Sequence, residues 1–285
     1  MAVQTELKSI RANGTELHYL EQGAGEPLVL VHGSLSDFRS WMLQVEAFSG
    51  QYRVIAYSRR YHYPNTWPED GPEYSVELHA ADLAALIEAL GLGPARLVGH
   101  SFGAMTSLLA ALHHPELVSR LVLAEPPILP WLERLPDGAP LQAAFVADTL
   151  EPALRAFESG KMELGLQTFI DGVAGRGAYE RISPVMHALQ MDNARELKAE
   201  MEAWGRHGMR QGYFVDPSCA SLGRLRIPTL LMGAERSPIW FHLILDELGR
   251  CLPQSRRVTI PNASHSMASG NPPAFNDAVL SFLKT

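Results

Sequence analysis

The feature that most constrains this chain is the run Leu97-Val98-Gly99-His100-Ser101-Phe102-Gly103-Ala104-Met105. Ala95 to Val98 is a short apolar stretch of strand type, and Ala104 to His113 carries apolar residues at helical spacing. Between them stands Gly-x-Ser-x-Gly. A strand, a tight turn and a helix around that pattern is the context of a nucleophile elbow. A serine at so sharp a turn has a strained backbone, and its neighbours two positions away must be nearly free of side chains. Gly99 and Gly103 meet that need. The turn aims the Ser101 hydroxyl out of the sheet and leaves the Phe102 N–H at a helix start, where it can donate to a developing oxyanion. Taken alone, the same five residues also suit two turn glycines around a helix N-cap, so the rest of the chain has to supply a base, an acid and a second donor.

Around this run the chain alternates strand and helix patterns. Asn13-Gly14 between Glu6–Ile10 and Glu16–Leu20 signals a hairpin. Pro27–Val31 and Leu121–Ala124 are short apolar runs of the kind buried inside a parallel sheet, and Arg53–Tyr57, Pro228–Met232 and Arg257–Ile260 read as further strands. Helical spacing marks Phe38–Phe48, Val76–Leu90, Ile239–Leu252 and Pro272–Leu283. The class expected is α/β: a mostly parallel central sheet with helices on both faces. From Ile128 to Pro217 strand patterns cease and helical pieces succeed one another: Leu141–Glu158, Lys161–Gly172, Ala178–Leu189 and Asn193–Arg206. The expected organisation is a core of residues 1–127 and 218–285 with a helical lid, 128–217, inserted. Met162, Phe169, Met186, Met191, Met201 and Trp204 are candidates for an apolar pocket there, although such residues more commonly fill a core.

The loops after the strands hold the remaining candidates. His32-Gly33-Ser34 comes after the first inner strand. Gly33 permits close backbone approach, and the Ser34 N–H is the candidate second oxyanion donor. His32 reads as a packing and hydrogen-bonding residue, and Arg59-Arg60 as a pair bracing its loop. Glu125 ends the strand after the elbow helix, on the sheet edge where α/β proteins place ligands. Glu235 comes after the next strand, and His265 lies in the loop after the last. His113-His114 at a helix end has no third ligand in view.

The order of oxyanion loop, elbow serine, helical insertion and late histidine resembles the α/β-hydrolase fold family over nearly the whole chain. The matching pieces are His32-Gly33, Gly99-His100-Ser101-Phe102-Gly103 and Asn262-Ala263-Ser264-His265. The resemblance implies that Ser101 is the nucleophile and that His265 serves as general base, then acid. It implies oxyanion donors at Ser34 and Phe102, and neither metal nor organic cofactor. Many members carry an Asp at the position where this chain has Arg236. A subset, including zearalenone-lactonase-like hydrolases, places the acid where Glu125 stands. Glu125 is therefore the expected acid and Glu235 the alternative. Dehalogenases and epoxide hydrolases of the fold use Asp at the elbow, so a serine there points to acyl transfer on a carboxylic ester or lactone. The family also holds carbon–carbon hydrolases, lyases, acyltransferases, cofactor-free oxygenases and ligand-sensing receptors.

Net charge of −7 argues against nucleic acid or an anionic membrane as partner. The first twenty residues hold Glu6, Lys8, Arg11 and Glu16 without an apolar run, as in a chain lacking a secretory leader. A cytoplasmic monomer or homodimer acting on a small molecule is expected. Cys219 and Cys251, far apart in sequence, allow one disulfide, but two reduced thiols are the expectation in such a compartment.

Overall fold

The computed structural model describes residues 6–68, 73–208 and 214–284. Its centre is one eight-stranded sheet: β1 (Lys8–Ala12), β2 (Thr15–Gln22), β3 (Pro27–Val31), β4 (Arg53–Tyr57), β5 (Ala95–His100), β6 (Val118–Ala124), β7 (Thr229–Ala234) and β8 (Ser255–Ile260). The spatial order is β1-β2-β4-β3-β5-β6-β7-β8. The β1–β2 and β2–β4 pairs are antiparallel, and every pair from β4 onward is parallel. Asn13 and Gly14 both take positive φ, 44° and 75°, as a two-residue hairpin turn demands.

Inner strands bury both faces, and the period of two sorts their side chains into two cores. Val29, Val31, Leu97, Leu121, Leu123 and Leu231 join one; Leu28, Leu30, Val98, Val122, Leu230 and Met232 join the other. The first is covered by α2 (Val76–Ala89), α3 (Phe102–His113) and α10 (Ile239–Cys251), the second by α1 (Met42–Phe48), α11 (Met267–Gly270) and α12 (Pro272–Leu283). Between β6 and β7 run α4 (Gly138–Phe145), α5 (Glu151–Glu158), α6 (Met162–Ala174), α7 (Pro184–Asp192), α8 (Ala194–His207) and α9 (Cys219–Leu222), with no strand among the described residues. No helix among the described residues is long and apolar enough to cross a membrane.

Three expectations need revision. Phe38–Phe48 is not one helix: a 3₁₀ turn over Phe38–Trp41, started by the Asp37 side chain accepting from the Arg39 N–H, precedes α1. The expected helix Ala178–Leu189 is a 3₁₀ turn at Tyr179–Arg181 and then α7. Pro184 sits in the first turn of α7 behind an N-cap at Ser183, and a proline fits there but not inside a helix. Cys219 and Cys251 are not free thiols but a disulfide, their Cα atoms 4.9 Å apart. Separated by 32 positions in sequence, the start of α9 and the end of α10 meet once the chain has passed through β7 and doubled back.

Candidate active site

Parallel strands bring their carboxyl ends to one edge, and the loops leaving β3, β5, β6, β7 and β8 carry the expected site residues there. Ser101 has φ 54° and ψ −124°, the strained conformation of the elbow. Its N–H donates to the Ala124 carbonyl at 2.8 Å, which ties the turn to the neighbouring strand. A Cβ at Gly103 would stand 2.2 Å from the Val31 carbonyl oxygen, and one at Gly99 2.5 Å from that of Gly103. Only glycine lets the elbow pack so closely.

The Ser101 hydroxyl lies 3.0 Å from His265 Nε2, and His265 Nδ1 lies 2.7 Å from Glu125 Oε2. Glu125 is fully buried. Its Oε1 accepts from the Ala234 N–H at 2.7 Å and its Oε2 from the Ser237 hydroxyl at 3.0 Å. Burial pushes the Glu125 carboxyl up, but the hydrogen bonds from His265, Ala234 and Ser237 outweigh it and hold the group below its ordinary range. A carboxylate there fixes the proton of the imidazole on Nδ1 and leaves Nε2 facing the hydroxyl as an acceptor. Such a line can draw the proton from Ser101 as its oxygen attacks a carbonyl.

Glu235, the alternative acid, does not join this line. It is exposed, and its carboxylate accepts from the Asn262 N–H at 2.6 Å, which fastens the loop leading to His265. The chain turns outward after Ala234, so the side chain one position later leaves the site.

Two further contacts were not legible in the sequence. His100 Nε2 donates to the His265 carbonyl at 2.7 Å. Burial beside His265 pushes His100 down to about 3, so it stays a neutral donor. Phe241 of α10 stacks on the His265 ring, 4.4 Å between centroids and 15° between planes. His32 holds its loop as expected: Nε2 accepts from the Arg59 N–H at 2.9 Å and Nδ1 donates to the Gly33 carbonyl at 2.8 Å. Arg60 is paired with Asp82 at 2.6 Å.

Ser101 opens onto two spaces. An outer cleft mixes polar side chains, Ser36, Ser40, Gln190, Ser266 and Ser269, with a larger apolar share that includes Trp41, Ile170, Ala174 and Met186. An inner cavity is lined by Phe102, Leu129, Phe145, Leu150, Met201, Trp240 and Phe241, with Glu200 as its one ionisable side chain among the described residues. Ser34, Ser101, Phe169 and Val173 border both. Of the other pocket candidates, Met162 and Trp204 pack into the core, whereas Met191 is largely exposed. Among the described residues one cluster of three metal-type donors exists, Cys219, Glu247 and Cys251. Its two sulfurs are bonded to each other and Glu247 is engaged by Arg250.

A sequence model of the alpha/beta hydrolase fold matches residues 26–272. The chain belongs to the α/β-hydrolase fold family. Among curated relatives, epoxide hydrolase 3 of Xenopus tropicalis is 25% identical, over 96% of this chain and 76% of the relative. A non-heme chloroperoxidase of Streptomyces lividans is 27% identical, over 96% of this chain and 98% of the relative. Among solved structures, a bromoperoxidase of Bacillus anthracis superposes with a TM-score of 0.79 at 24% identity, covering 98% of this chain and all of that one. That likeness speaks to the α/β-hydrolase fold.

Proposed function

We propose that the chain is a serine hydrolase that cleaves a carboxylic ester or lactone through an acyl-enzyme. Ser101 is the nucleophile, His265 the general base and then the acid, and Glu125 the group that holds the imidazole. The observation carrying this reading is the unbroken line from the Ser101 hydroxyl through both His265 nitrogens to a buried carboxylate, with spacings of 3.0 and 2.7 Å. Attack by Ser101 Oγ on the substrate carbonyl carbon gives a tetrahedral oxyanion. The N–H groups of Ser34 and Phe102 receive that charge, and their residues border the same inner cavity as Ser101. His265 passes its proton to the departing alkoxide. Water, deprotonated by the same imidazole, then releases the acid and restores Ser101.

The apolar inner cavity suits one half of the substrate, and the outer cleft, apolar with a fringe of serine hydroxyls, the other. Residues 128–217 serve as the lid, with Phe169, Val173, Met186 and Met201 facing those two spaces. Serine at the elbow distinguishes this chain from the Asp nucleophile that the family resemblance assigns to epoxide hydrolases. Incubation with a fluorophosphonate probe and then peptide mass mapping tests the reading: the adduct is expected on Ser101. Ser101→Ala and His265→Ala are each expected to abolish turnover of p-nitrophenyl esters. Reaction in ¹⁸O-water should place solvent oxygen in the acid product; retention of turnover by Ser101→Ala overturns the assignment.

A further inference from the structure

We propose that Arg59 is a positioning residue for the oxyanion site, a side chain that shares the Gly33 carbonyl with His32 Nδ1 to aim the Ser34 N–H and that also seats Phe102. The inference rests on the serine-hydrolase reading. Arg59 is completely buried. Its Nε donates to the His32 carbonyl at 3.0 Å and its Nη2 to the Gly33 carbonyl at 3.1 Å. The Gly33–Ser34 peptide is not among the cis bonds of this chain, and in a trans peptide the C=O and the next N–H point in opposite directions. A guanidinium that holds the Gly33 oxygen on one side thereby turns the Ser34 N–H to the other. Ser101 flanks this loop: a Cβ at Gly33 would come within 2.9 Å of the Ser101 Cβ. The same guanidinium lies over the Phe102 ring, 4.4 Å from its centroid. One cation thus holds the carbonyl that precedes one oxyanion donor and the ring of the residue that supplies the other.

The loop is clamped from α8 as well. The Ser34 hydroxyl donates to Glu200 at 2.8 Å and the Leu35 N–H to Glu196 at 3.3 Å. These two buried carboxyl groups face Arg59, and with Tyr74 they outweigh the effect of burial and keep the guanidinium charged. A buried ion cluster adds little net stability compared with apolar packing of the same volume. What it provides here is direction: two carbonyls held on a planar fork and a peptide that cannot rotate.

Removing one preorganised oxyanion donor lowers kcat by about 10²–10³-fold, so misaiming one should cost at least tenfold. The test compares Arg59→Met and Arg59→Lys with the parent on p-nitrophenyl acetate. It also measures inhibition by a trifluoromethyl ketone, which binds serine hydrolases as a tetrahedral oxyanion. Arg59→Met is expected to lose kcat tenfold or more with KM within threefold, and the inhibition constant should rise by the same factor as kcat falls. Arg59→Lys keeps the charge that Glu196 and Glu200 face but replaces the rigid planar fork by a rotatable ammonium that fixes no direction. It carries the test if the Met variant does not fold, with the same tenfold threshold. A folded variant that loses less than tenfold in kcat, or whose loss lies in KM, or whose ketone affinity does not track kcat, overturns the proposal. An inert Ser101→Ala beside such active Arg59 variants leaves the hydrolase reading standing and removes only this one. Turnover by Ser101→Ala overturns both.

Discussion

Replacing Glu125 by glutamine changes one atom and one charge, and the surrounding donors dictate the response. Glu125 receives three of them: the Ala234 N–H on Oε1, and the Ser237 hydroxyl and His265 Nδ1 on Oε2. An amide has one oxygen and one NH₂. If the oxygen faced His265, the NH₂ would abut the Ala234 N–H, a fixed backbone donor with no acceptor to offer. The oxygen therefore stays against Ala234 and the NH₂ takes the other place. Ser237 can rotate to accept. His265 can accept only by moving its proton to Nε2, which then presents N–H to Ser101 and ceases to be a base. The negative charge that stabilises the imidazolium is lost too. At an effective dielectric near 20, a charge pair about 4 Å apart is worth about 4 kcal/mol. With the tautomer inverted as well, the expected fall in kcat is about 10³–10⁴-fold, or about 4–5.5 kcal/mol of barrier. The assay is steady-state hydrolysis of p-nitrophenyl butyrate by Glu125→Gln and Glu235→Gln, with thermal unfolding of each to confirm that it folds. Glu235→Gln, which alters only an exposed loop fastening, should stay within about threefold, since surface contacts of this kind are worth under about 1 kcal/mol. A folded Glu125→Gln enzyme within tenfold of the parent, or a Glu235→Gln enzyme reduced a hundredfold, refutes the reasoning.

Gly103→Ala forces a Cβ to 2.2 Å from the Val31 oxygen and 2.4 Å from that of His32. Both are backbone atoms at the end of β3, so a loss of about 3 kcal/mol or more in urea unfolding is expected, and activity should fall with it. Reducing the Cys219–Cys251 bond frees a segment 32 residues long, and the chain-entropy account gives a loss of about 3–4 kcal/mol; a thermal midpoint that does not move with reductant argues against the bond. Glu125, held below its ordinary range, contributes stability that is fully present above its unfolded-state pKa and disappears as pH falls through the lower folded-state value. Unfolding free energy measured in acid should decline less steeply for Glu125→Gln than for the parent.

Much of this architecture is written locally. The elbow needs two glycines around a serine, the hairpin needs Asn13-Gly14, and the inner strands need unbroken apolar runs; each is a short-range requirement that a few adjacent residues express. The choice between Glu125 and Glu235 was different, because both come directly after a buried strand. What separates them is whether the chain turns inward or outward there, and that depends on Asn262 and Ala263 receiving the Glu235–Arg236 backbone and side chains. The cluster of Arg59, Tyr74, Glu196 and Glu200 was beyond local reading. Its members come from the loop after β4, the approach to α2, and one face of α8. Glu196 and Glu200 look like ordinary solvated positions of an amphipathic helix until the fold seats that face on the His32–Leu35 loop. The disulfide was hidden for the same reason.

The paired register that joins His100 to Ala124 has a dynamic corollary. Ser101 and Glu125 each come one residue after that pair, so they leave neighbouring strands at the same rung and share one hydrogen-bonded scaffold. The imidazole arrives on a separate segment, pinned at its carbonyl by His100 and stacked on by the ring of Phe241, so loosening either contact is expected to shift His265 relative to the other two while leaving them in register.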